Sequence, residues 1–231
     1  QEAAHDVIVV DGGSTDGTLE IARAGGATTI QSAPGRGGQL NAGAQCARGD
    51  VLLFLHADSG LPLGALSAVD VALAQEPSAL GGNFRLLFDG EDGFSTWLNG
   101  FYAWLRRRGF YYGDSGIFVR RTAYDELGGF KPIPLMEDYD FVRRLERAGQ
   151  TLCISATPLV TSARRFGGRH AVAIVTRWLK IHAYYHLGVS PARLVKIYDR
   201  QSEPGPIAVS LARLAARLGV PKGAAASKPD Q

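Results

Sequence analysis

The sequence predicts an α/β domain built on a mostly parallel central sheet with helices on both faces. Three observations predict it. Short apolar or β-branched runs at residues 6–10 and 51–55 are too continuous for half-exposed strands. Helical patterns separate the runs, and each run ends in a loop carrying glycine or aspartate. With 231 residues, 45% of them hydrophobic and 20% charged, the chain is long and apolar enough to enclose one core.

The elements follow in order. Asp-Val-Ile-Val-Val at 6–10 is a buried strand closed by Asp11-Gly12-Gly13. Thr15 or Asp16 caps a helix whose face of Leu19, Ile21 and Ala22 stops at Gly25-Gly26. A strand at 28–31 leads into the loop Ser-Ala-Pro-Gly-Arg-Gly-Gly at 32–38, and a helix covers 40–47. The strand at 51–55 ends in His56-Ala57-Asp58-Ser59, followed by a small-residue helix over 62–75. Further strands are predicted at 81–88, 116–120 and 152–155, and helices at 97–107, 121–127 and 137–148.

The last third changes character. A helix over 171–187, crowded with Trp178, Tyr184 and Tyr185 and flanked by Arg177 and Lys180, reads as a docking or lipid-surface face, or equally as core. The Ala-, Lys- and Pro-rich residues 219–231 read as a disordered tail. The expected division is a catalytic part over 1–165, a helical appendage over 166–218 and the tail.

Composition excludes several classes. The net charge of +3, carried mostly by arginine, suits contacts with phosphates or carboxylates. No aromatic-interleaved basic stripe or zinc-finger spacing marks a nucleic-acid reader. Cys46 and Cys153 stand alone without CxxC spacing, which predicts a reducing, cytoplasmic setting. No apolar run approaches the roughly 18 residues of a membrane span and no signal peptide opens the chain, so no span is expected, with peripheral contact at the inner membrane left open.

In an open sheet of this kind ligands bind beyond the carboxyl ends of the strands, which singles out the polar residues there. Asp58 either holds a divalent ion, leaving positions for water and phosphate oxygens, or caps the following helix. Asp11 either accepts hydrogen bonds from a base or ribose, with Gly12 and Gly13 admitting close approach, or belongs to a plain strand-to-helix turn. Arg36 lies ahead of a helix N-terminus where a diphosphate could bind, without the Walker lysine and serine; the alternative is a surface arginine. Glu137-Asp138 either complements a helix dipole or supplies a general base. Arg164 and Arg165, with Arg169 and His170, either clamp a diphosphate or an acidic acceptor, or are solvated. His5, His182 and His186 read as packing or surface residues.

Taken in order, Asp-Gly-Gly-Ser-Thr-Asp-Gly-Thr, Gly-Arg-Gly-Gly-Gln-Leu-Asn-Ala-Gly, His-Ala-Asp-Ser and Glu-Asp-Tyr-Asp resemble the family 2 glycosyltransferases over about residues 6 to 165. Gly-Asp-Ser-Gly-Ile-Phe at 113–118 and Thr-Ser-Ala-Arg-Arg at 161–165 look like a bacterial subgroup associated with arsenosugar biosynthesis. The resemblance implies a GT-A fold and inverting, metal-dependent transfer, with Mg2+ or Mn2+. The donor would be a UDP- or GDP-linked sugar, and the acceptor a small-molecule, glycan or lipid hydroxyl. It implies Asp11 and Ser14 on the donor, Arg36 and Asn41 lining the nucleotide pocket, and Asp58 on the metal. Asp138 would be the base with Glu137 supporting it, Asp114 would face donor sugar or acceptor, and Arg164 and Arg165 would bind substrate. A second copy of the chain and a membrane surface are further candidate partners; nucleic acid is not.

Two departures stand out. The family's Asp-any-Asp motif is His56-Ala57-Asp58 here, so His56 would replace a carboxylate with a hydrogen bond or a nitrogen ligand. Relatives also open with a proline-bearing strand and an Asn-Glu pair, and residues 1–5 read as the end of the helix that follows it. A missing N-terminal strand beside residues 7–10 is therefore expected. The competing readings are a sugar nucleotidyltransferase, whose glycine-arginine loop should lie nearer the first strand, and a degenerate sugar-nucleotide-binding domain without turnover.

Overall fold

The structure, a computed structural model, describes residues 5–57, 59–90, 93–161 and 171–200. Strand β1 (Ile8–Asp11) pairs in parallel with β2 (Thr28–Gln31), Asp11 standing opposite Gln31, and the two form a sheet of their own. The short helix α1 (Thr18–Ala24) joins them and buries no residue. Helix α2 (Arg36–Cys46) lies against β1, where Gly43 allows Val10 to come close. This helix begins four residues before the predicted start. Gly35, at φ 141°, turns the chain directly into it, so Arg36 is its first residue and not part of a flexible loop.

The larger sheet has the order β3-β5-β4-β6, with β3 at Val51–Phe54, β4 at Gly81–Phe88, β5 at Ile117–Arg120 and β6 at Thr151–Thr161. Three strands share a direction, but β5 runs against both β3 and β4, making the sheet mixed. The reversal has a topological cause. β5 begins opposite Phe54, at the carboxyl end of β3, and ends opposite Val51. The turn that feeds β5, Gly113–Ser115, therefore stands beside the loop that leaves β3 at His56.

Alternation along the strands builds two cores. Phe118 of β5 joins Phe84, Leu86 and Phe88 of β4 on one face, against α3 (Ala65–Gln75) and α4 (Gly93–Arg106). Its neighbours Ile117 and Val119 face the other way, toward α2, α5 (Arg121–Glu126) and α6 (Glu137–Ala148). In α6, Phe141, Val142 and Leu145 are wholly buried there, each contributing on the order of 2 kcal/mol in transfer terms. The arginines at 120 and 121 serve structure: Arg120 donates to Leu73 and Ala79 carbonyls, and Arg121 to those of Ala44, Ala47 and Gly49, where helices α3 and α2 end.

The C-terminal helices α7 (Ala171–His186) and α8 (Pro191–Arg200) pack onto this body. Ile174 is buried in the first core, Trp178 stacks 5.6 Å from Phe101, and Ile181 is buried with Met136 and Tyr139. Trp178 and its neighbours one turn apart are turned toward the body of the protein, while Leu179 and Leu187 stay exposed. No helix among the described residues is long and apolar enough to cross a membrane. Both cysteines are exposed and free. The predicted tail lies outside the described residues.

Candidate active site

A continuous set of contacts links the ends of β1, α2, α6 and the Gly113 turn. It starts at Asp11, buried at the end of β1. Its carboxylate accepts the amides of Gly13 at 3.0 Å and Ser14 at 3.1 Å, folding the loop back over the strand end. Hydrogen bonding from Ser14, hydroxyl and amide, and from the Gly13 amide holds the Asp11 carboxyl below its ordinary range, outweighing the burial that would raise it. Asp11 and Ser14 therefore organise each other.

Gln39, one turn into α2, ties that loop to the helix. Its Nε2 donates to the Val10 carbonyl at 3.0 Å and its Oε1 accepts the Gly35 amide at 3.3 Å. The sequence reading passed over Gln39; its position three residues after Arg36, one helical turn on, was the available signal. Asn41, expected to line the nucleotide pocket, holds two elements together. Its Oδ1 accepts the Tyr124 hydroxyl and the Phe130 amide while Nδ2 donates to the Phe130 carbonyl, so its amide braces α2 against the segment after α5.

The N-termini of α2 and α6 meet through Arg36 and Glu137. Arg36 Nε lies 2.8 Å from Glu137 Oε1, an ion pair by distance though not a hydrogen bond by alignment. The Glu137 side chain is 1% exposed and that of Arg36 is 52% exposed, so the rest of the guanidinium reaches solvent above a buried carboxylate. Burial, and next the charge of Asp138, push the Glu137 carboxyl up, with Arg36 opposing. The approach is close because Gly37 lacks a side chain: a β-carbon there would collide with the Lys131 carbonyl.

Asp138 is the next residue of α6. Its Oδ2 accepts the Gly113 amide at 2.9 Å, and its Oδ1 lies 2.7 Å from the Tyr139 amide. A β-carbon on Gly113 would stand 2.5 Å from His56 Nε2 and 3.4 Å from Asp138 Oδ2, so imidazole and carboxylate converge on one point. Asp114 follows, buried in the same turn. Met136, just before Glu137, holds φ 69°, which is costly for a non-glycine residue, and its buried side chain packed on Tyr139 and Ile181 keeps it there. A Gly113→Ala substitution should push His56 and Asp138 apart. We expect at least a tenfold loss of turnover with the fold retained, checked by steady-state assay beside circular dichroism.

The structure thus brings Asp11, Ser14, Arg36, His56, Asp114, Glu137 and Asp138 to one end of the molecule. Asp58, Arg164 and Arg165 lie outside the described residues. Among the described residues no three His, Cys, Asp or Glu side chains form a metal-binding group.

The sequence model of the family described as "Glycosyl transferase family 2" matches residues 2–125. No curated protein sequence matches the chain. Similar solved structures include the Pyrobaculum calidifontis mannosyltransferase PcManGT in complex with GDP-Man and Mn2+, at 19% identity and a TM-score of 0.57, covering 93% of this chain and 71% of that one. They also include S. aureus TarS 1–349, at 16% identity and a TM-score of 0.51, covering 78% of this chain. This chain spans 56% of the length of that staphylococcal one.

Proposed function

Because the chain belongs to glycosyl transferase family 2 and has a GT-A fold, we propose that it is a glycosyltransferase that moves a sugar, with inversion, from a nucleoside diphosphate sugar to an acceptor hydroxyl. The observation that carries this reading is the junction of the α2 and α6 N-termini, where the Arg36 guanidinium lies 2.8 Å from buried Glu137, the residue before Asp138. A cation suited to a diphosphate then neighbours a carboxylate suited to a proton.

In the proposed reaction the acceptor oxygen attacks the anomeric carbon as the bond from that carbon to the phosphate oxygen breaks. Its electron pair leaves on the nucleoside diphosphate, and the hydroxyl proton passes to Asp138. Glu137 keeps Arg36 aimed at the diphosphate, the Asp11 loop receives the nucleoside, and Asp114 lies toward the sugar or acceptor. Asp58, with His56 beside it in sequence, would hold a divalent cation, which when bound offsets the charge growing on the leaving diphosphate. The relative solved with GDP-Man and Mn2+ supports both donor class and ion. Within the family, Gly-Asp-Ser-Gly-Ile-Phe at 113–118 supports the bacterial subgroup associated with arsenosugar biosynthesis.

Calorimetric titration of UDP, GDP and their sugar conjugates, with and without Mn2+, tests the donor site. Wild type should bind one base in a metal-dependent way, and Arg36→Ala should weaken that binding about tenfold, the worth of one charge-assisted contact. Equal affinity in the variant would remove Arg36 from the donor site.

A further inference from the structure

Helix α7 makes a hydrogen bond to the residue that opens the Gly113 turn through the imidazole of His182. His182 Nδ1 lies 2.8 Å from the Trp178 carbonyl, a group that can only accept, so Nδ1 carries the ring proton. That leaves Nε2 as an acceptor, 3.1 Å from the Tyr112 hydroxyl. Tyr112 immediately precedes Gly113, whose amide donates to Asp138 Oδ2 at 2.9 Å. The ring of Tyr139, the residue after Asp138, meets the His182 ring edge-on at 4.7 Å and lies 6.4 Å from that of Tyr112. His182 therefore touches the residues flanking both ends of the Gly113–Asp138 bond. Burial lowers its pKa from the ordinary histidine value, which keeps the imidazole neutral and its acceptor available.

We infer that His182 is a positioning residue for the transfer reaction: by holding the Tyr112 hydroxyl it fixes the Gly113 amide on Asp138 and so aims that carboxylate at the acceptor. The inference rests on the reading of Asp138 as the base. An unanchored Tyr112 would let the turn move, and an aim lost by a fraction of an ångström lowers turnover without touching donor contacts. A purely packing role would depend on ring volume and not on the nitrogen that accepts. The two histidines of α7 are also distinct in this respect, since His186 Nε2 pairs with the Tyr139 hydroxyl at 2.9 Å and not with Tyr112.

The test combines Tyr112→Phe, which deletes one oxygen, with His182→Phe, which keeps a ring without an acceptor, their double variant, and His182→Gln, which keeps an acceptor. Two readouts are made on the full chain: hydrogen exchange of the Gly113 amide by NMR, and nucleoside diphosphate release from UDP-glucose and GDP-mannose with Mn2+. Each Phe variant should raise Gly113 exchange about tenfold and lower kcat about tenfold with donor KM within twofold. The double variant should lose no more than either single one, and His182→Gln should recover most of the loss. Unchanged Gly113 exchange in both single variants, or losses that multiply in the double variant, would overturn the inference. Because exchange is read without turnover, a faster Gly113 amide together with an active Asp138→Asn would instead retain the anchor and remove Asp138 as base.

Discussion

Asp138→Asn is expected to lower sugar transfer by about a thousandfold while donor affinity stays within fivefold, the range expected when a general base is removed. The substitution keeps shape, and an amide oxygen in the place of Oδ2 still accepts the Gly113 amide that lies 2.9 Å away in the native protein, at the cost only of the local contact between Oδ1 and the Tyr139 amide. The turn and the N-terminus of α6 should therefore survive, so that the loss reports proton acceptance rather than architecture. Steady-state kinetics paired with calorimetric donor titration check it. A variant retaining a tenth or more of wild-type kcat would move the base elsewhere, with Asp114, buried in the adjoining turn, the next carboxylate to examine.

The second large effect is on stability. Asp140, one α6 turn below the site, accepts Lys131 Nζ at 2.7 Å, Arg144 Nε at 2.8 Å and the Tyr185 hydroxyl at 3.1 Å. Arg144 continues to the Leu127 and Gly129 carbonyls, so one carboxylate joins α6 to the end of α5 and to α7. Asp140→Ala should cost about 2–3 kcal/mol, at the lower edge of what breaking a buried pair costs because Lys131 remains half exposed. Burial alone would raise the Asp140 carboxyl, but hydrogen bonds from Lys131 and Arg144 outweigh it and hold the group below its ordinary range. The sign follows: a depressed folded value means stability present above the unfolded carboxyl pKa of about 4 and lost as pH falls through the folded value. Urea unfolding of wild type and variant across pH 3 to 7 should show the gap between them closing toward the acid end. A gap independent of pH would mean that the side chain stabilises by packing, not charge.

Much of this arrangement was legible locally. The strand at 28–31, the strand at 81–88 and the helix at 137–148 fall where the sequence pattern sets them, since periodicity and end signals are short-range. Asp11, Arg36, His56 and Asp138 were likewise visible as polar residues at or just beyond strand and helix ends. What periodicity cannot carry is which ends meet. Arg36 and Glu137 are a hundred positions apart, and only the close approach at Gly37 joins them. The direction of β5 depends on where the chain returns after α4, and no residue within β5 encodes that. Asn41 lay in the right motif yet faces Phe130 and Tyr124, because its partners come from a segment some ninety residues later. His182, read as a packing or surface residue, gains its interest only from Tyr112, seventy positions earlier.

The most direct test of the account is product analysis on wild type supplied with Mn2+ and a panel of UDP- and GDP-linked sugars. Transfer or slow donor hydrolysis should release nucleoside diphosphate, and NMR of the first sugar product should show the anomeric configuration opposite to that of the donor. Formation of UTP or GTP and a sugar 1-phosphate when pyrophosphate is added would identify a nucleotidyltransferase, retained configuration would exclude a single displacement with Asp138 as base, and donor binding with no release would leave a sugar-nucleotide-binding domain without turnover.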